Sequence, residues 1–119
     1  MPWRVTPVAS TFRTMVTRAL SQDDAVQRIV NAEAEIRRFG VRRLALFGSV
    51  LRNEARPDSD VDLLVEFAPG EKTFDHFMGL ALFLEDLLEH RVELLTPESL
   101  SPYIGPHILK AAKDVLRAA

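Results

Sequence analysis

The apolar residues of this chain keep a helical spacing first and then switch to the spacing of strands. Ala25, Ile29, Ala32, Ile36 and Phe39 recur at intervals of four and three, which puts them on one face of a helix. Ser21 followed by Asp24 is a capping-box-like start, and Gly40 is the stop. Asp23 and Asp24 in the first turn and Arg37 and Arg38 in the last match the helix dipole at both ends. Val41 to Phe47 then reads as a strand. In a second strand Val61, Leu63, Val65 and Phe67 share one face, while Asp60 and Asp62 open the other with Leu64 and Glu66.

The second half repeats this change of period. Thr73 can cap a helix running to about Glu89, with Phe77, Leu80, Ala81, Leu84, Leu87 and Leu88 as its core stripe. Leu82 and Phe83 are surplus to that stripe, so they are either covered by a terminal segment of the chain or form a patch for a partner. Arg91 to Thr96 predicts a third strand, with Glu93 opposite in facing to Val92 and Leu94. A turn-rich linker leads to a last predicted helix, His107 to Arg117, with Ile108, Ala111, Ala112 and Val115 inward. Tyr103 in the linker is a packing residue or reaches over the cleft.

Strand, turn, strand, helix and strand, with flanking helices, predict an α/β (α+β) domain over 21–119: a small mixed sheet with helices on one side and an open cleft on the other. Residues 1–20 read as a weakly ordered extension, basic and free of acidic residues, with a short helix from Thr11. At 119 residues, 47% of them hydrophobic, the chain has apolar content for a single core. Its net charge of −2 and lack of a dense Lys/Arg run argue against direct DNA binding. No run is apolar enough for a membrane span, and the absence of cysteine fits a cytoplasmic setting. His76 and His90 lack metal-ligand spacing and read as surface residues.

The chemistry concentrates between the first two strands. Asp60 and Asp62 project two carboxylates from one side of a strand, which raises a pKa unless a cation sits between them. Hard ions such as Mg²⁺ are held by one or two carboxylates plus water and substrate phosphates. Ten residues upstream, Gly48-Ser49 ends the first strand. Glycine permits close approach of a ligand, and a helical turn starting at Ser49 presents free N–H groups to an anion. Arg52 and Arg56 in the connection are either surface charge or phosphate contacts, and Asp58 shapes the turn rather than binding metal. If the third strand lies beside the second, Glu93 adds a third carboxylate.

Gly48-Ser49, ten residues and Asp60-Val61-Asp62 resemble the signature of the polymerase-beta-type nucleotidyltransferase superfamily. The wording GSVLRNEARPDSDVDLLVEF is similar to minimal nucleotidyltransferases encoded beside HEPN-domain proteins in toxin–antitoxin pairs, and the likeness runs from about Val41 to about Leu116. The resemblance implies a nucleotide site at Gly48, Ser49, Arg52 and Arg56, and two Mg²⁺ ions held by Asp60, Asp62 and Glu93, with these three acting in catalysis. It implies ATP as substrate and, as partner, a HEPN RNase toxin whose tyrosine receives AMP, in a homo- or hetero-oligomeric setting. Non-catalytic masking of the partner and transfer to a small molecule are the alternatives. In the family the third acid is usually aspartate; here it is Glu93, one methylene longer.

Overall fold

The computed structural model describes residues 19–103 and 105–117, and among these, alternation and helical periodicity translate into ten elements. The expected short helix from Thr11 lies outside the described residues. Helix α1, Gln22–Asn31, begins where Ser21 Oγ accepts the Asp24 N–H at 3.1 Å. The predicted helix does not run on unbroken: at Ala32 (φ −104°) it turns into the short α2, Glu33–Arg37. The Ala32 N–H is shared between Arg28 O and Ile29 O, a tighter turn that no glycine or proline signals. Gly40, at φ +81°, ends this arm in the left-handed region, as its position requires.

Strands β1 (Val41–Phe47) and β2 (Val61–Phe67) pair antiparallel, joined by the helical turn α3 (Gly48–Leu51) and a polar loop. Thr73 caps α4 (Phe74–Leu88) by accepting the His76 N–H, and β3 (Val92–Leu95) returns parallel to β2. A 3-10 turn at Pro97–Ser99 precedes α5 (Gly105–Ala111) and β4 (Lys113–Leu116).

That last strand corrects the sequence expectation. The helix predicted over His107 to Arg117 stops at Ala111, and Lys113–Leu116 pairs antiparallel with β1. Ile108, Ala111, Ala112 and Val115 satisfy a helical period, but the free edge of β1 offers hydrogen bonds, Leu116 enters the core, and Asp114 meets Arg43. Non-local partners outweigh local spacing here.

The sheet order is β3-β2-β1-β4. One face buries Leu44, Leu46, Val61, Leu63, Val65 and Leu116 beneath Ala25, Ile29 and Ile36 of the α1–α2 arm and Leu80, Leu84 and Leu88 of α4. Leu20, just ahead of the expected domain start, joins this core. Phe39 packs on Phe83, with ring centroids 5.8 Å apart, and against Gly79, so among the described residues the end of the first arm covers Phe83. Leu82 stays on the surface with Phe74 and Met78, at i, i+4 and i+8 along α4. No helix among the described residues is long and apolar enough to cross a membrane.

Candidate active site

The face of the sheet opposite the helices carries the charged residues. By register, Asp62 of β2 lies between Phe47 of β1 and Glu93 of β3. Asp62 and Glu93 are therefore cross-strand neighbours on that face, at a β-sheet spacing where like charges repel. Burial above all, then the charges of Glu93 and Asp60, push the Asp62 carboxyl above its ordinary value, with Arg52 pulling weakly the other way.

Gly48 explains how the turn reaches these acids. It sits at φ +79°, and a Cβ there would run into the Asp62 carboxylate, 2.9 Å from its Cγ. Only glycine lets the backbone pass this close in the left-handed region. Ser49 follows in α3, and the Ser49 carbonyl accepts the Glu54 N–H at 2.8 Å, while Val50 anchors the turn in the core. Asn53, left-handed at φ 56°, closes the turn, and its Oδ1 accepts the Gln22 N–H at 2.9 Å. Gln22 Nε2 also donates to Leu51 O, so the start of α1 clamps the turn from behind.

The remaining expected residues are placed less centrally. Asp60 precedes β2 and accepts a 3.2 Å hydrogen bond from Arg91 Nε. Arg52 is exposed and donates to Glu54 at 2.9 Å. Arg56 is exposed in the loop, where its N–H donates to Ser59 Oγ. Asp58 is exposed in the turn ahead of β2. His76 and His90 are half-buried rather than on the surface, each bonding a backbone carbonyl through Nδ1. Tyr103 is 85% exposed and packs in no core.

Arg91 is the residue that sequence reasoning passed over. Its signal was present: it lies two positions before Glu93, as Asp60 does before Asp62, and parallel pairing sets the two dipeptide steps side by side. Glu85 adds a support from outside the motif, its Oε2 accepting the Val92 N–H at 3.2 Å on the edge strand. Among the described residues no three His, Asp or Glu side chains stand arranged to hold a metal ion. The donor chemistry nevertheless fits a hard cation, because Asp62 is half-buried beside a second carboxylate and its carboxyl is raised first by burial and then by the charges of Glu93 and Asp60. A cavity of about 340 Å³ opens farther along β3, between Phe74 and Phe77 of α4 and Leu94 and Leu95, clear of the acids.

Known proteins resemble this chain in sequence and in fold. The sequence profile described as the nucleotidyltransferase domain matches residues 28–115. The protein adenylyltransferase MntA of Thermococcus cleftensis is 40% identical over 89 residues, 73% of this chain and 89% of its own length. A solved structure provisionally named a minimal nucleotidyltransferase superposes with a TM-score of 0.69 at 36% identity, covering 78% of this chain and 94% of that one. A chain from the complex of a tri-AMPylated HEPN toxin of Shewanella oneidensis with its MNT antitoxin superposes at 0.58 and 21% identity, over 82% of this chain and 73% of that one; this last likeness is one of fold.

Proposed function

The chain belongs to the nucleotidyltransferase domain family, and we propose that it transfers AMP from ATP to a tyrosine hydroxyl of a HEPN RNase toxin, acting as the antitoxin of that pair in the cytoplasm. The observation that carries the reading is the contact of Gly48 with Asp62 beside Glu93: a glycine turn pressed against a pair of like charges. The relative named protein adenylyltransferase supports protein as the acceptor class, and the AMPylated toxin complex supports the partner.

Gly48 and Ser49 cradle the β- and γ-phosphates, where the backbone N–H groups of the turn donate. Arg52 and Arg56, exposed on the loop beyond, bring positive charge to the triphosphate. Asp60, Asp62 and Glu93 would hold Mg²⁺, two ions in the full site. Bound there, Mg²⁺ supplies neutralisation of the triphosphate and acidifies the attacking hydroxyl. The acceptor oxygen bonds to the α-phosphorus as the bond to the β-phosphate oxygen breaks, pyrophosphate departs, and Glu93 takes the hydroxyl proton.

Incubation with Mg²⁺, ATP labelled at the α-phosphate and the HEPN protein tests this. Label on a toxin tyrosine, lost with Asp62→Asn, is the expected result; a stable complex that never acquires label defeats it. A second reading, masking of the toxin by contact alone, is favoured by the exposed row Phe74, Met78 and Leu82. Asp60→Ala separates the two, since masking survives it and transfer does not.

A further inference from the structure

Asp60 and Arg91 stand one position ahead of the Val61–Val92 row in the parallel pairing of β2 and β3. The Val61 N–H donates to Arg91 O at 2.8 Å, which holds the two residues side by side through the backbone alone. Arg91 Nε then donates to Asp60 Oδ1 at 3.2 Å. The next row on the same face is Asp62 beside Glu93. Four charged groups thus make a grid in which one row is an ion pair and the other is two like charges. The Arg91 side chain is 81% exposed, and among the described residues its head group is held by Asp60.

We infer that Arg91 competes with divalent cations for Asp60. The guanidinium holds one Asp60 carboxylate oxygen and offsets its charge, and a cation shared with Asp62 and Glu93 competes with it for that carboxylate. The same exposure that makes the pair weak makes it easy to open. Arg91 is on this view a positioning residue that sets the threshold for cation loading. The inference rests on reading Asp60, Asp62 and Glu93 as the cation ligands.

Titration of the full chain with Mn²⁺ alone, followed by the electron paramagnetic resonance of the free ion, tests it without reference to catalysis. Arg91→Ala and Arg91→Gln should each bind Mn²⁺ about two- to fivefold more tightly than wild type, the range expected for an exposed ion pair. The backbone bond to Val61 is untouched by either change, so the strand pairing is kept. In an Asp60→Asn background the gain should vanish. Unchanged or weaker binding by both Arg91 variants overturns the inference, as does an equal gain without the Asp60 carboxylate, which would mark a general field effect. Failure of the wild-type chain to take up Mn²⁺ at millimolar concentration would overturn the ligand reading itself; uptake that ignores Arg91 overturns the competition alone.

Discussion

Two groups of acids occupy the same open face of one sheet, and they are treated in opposite ways. Toward β4, Glu66 and Asp114 share Arg43, which lies between them on β1 and bonds both, at 2.7 Å to Asp114. Asp114 above all, and Glu66 with it, raise the Arg43 guanidinium further above its ordinary value, which keeps it a fixed cation. At the other end Asp62 and Glu93 face one another, and among the described residues no ion pair reaches either carboxylate. The first group fastens an edge strand. The second leaves two like charges facing one another, with the Asp62 carboxyl raised first by burial and then by Glu93 and Asp60, as the proposed cation site would require.

The contrast is tested most strongly at Asp62. Asp62→Asn should lower AMP transfer to the partner by about a hundredfold or more, as loss of correct positioning at a reacting phosphate does. Urea denaturation of the same variant should show no loss of stability at neutral pH, because a like-charge contact has gone. A stability loss there would mean that the pair is structural after all. Arg43→Met should do the reverse, costing about 1 kcal/mol in urea, because half-buried Glu66 loses its partner and Asp114 is left with Arg117 alone, while transfer per folded molecule is retained. Gly48→Ala bears on both readings: its left-handed backbone and the clash with Asp62 should cost roughly 1–3 kcal/mol and abolish transfer together.

The smallest effect is one of pH. Asp62 has a folded pKa raised above the unfolded value near 3.8, so the folded chain keeps a proton that the unfolded chain has already released. Its contribution to stability is therefore greatest below that value and declines as pH rises through the raised folded pKa, then levels off. Denaturation midpoints across this window should fall with pH for wild type more than for Asp62→Asn, and saturating Mg²⁺ should flatten the wild-type curve.

Much of this was legible because it depended on short-range pattern. Gly48, Ser49, Asp60, Asp62 and Glu93 could be picked out from strand parity and turn chemistry, since side chains two apart in a strand share a face whatever the sheet does. The break at Ala32 carried no local signal. The covering of Phe83 by Phe39 needed the fold, because a ring's partner so far away along the chain leaves no trace in its own period.

Periodicity along the chain was enough to determine β1 to β3, the two long helical arms and the side of β2 from which its acids emerge. Tertiary structure alone decided that Lys113–Leu116 is a strand, that Arg91 answers Asp60, and that Arg43 neutralises one acidic group while the other is left in want of charge. The physical reason is one of range: helical and strand spacing are set within a few residues, whereas the edge of β1 and the parallel register of β2 with β3 exist only after distant segments have met.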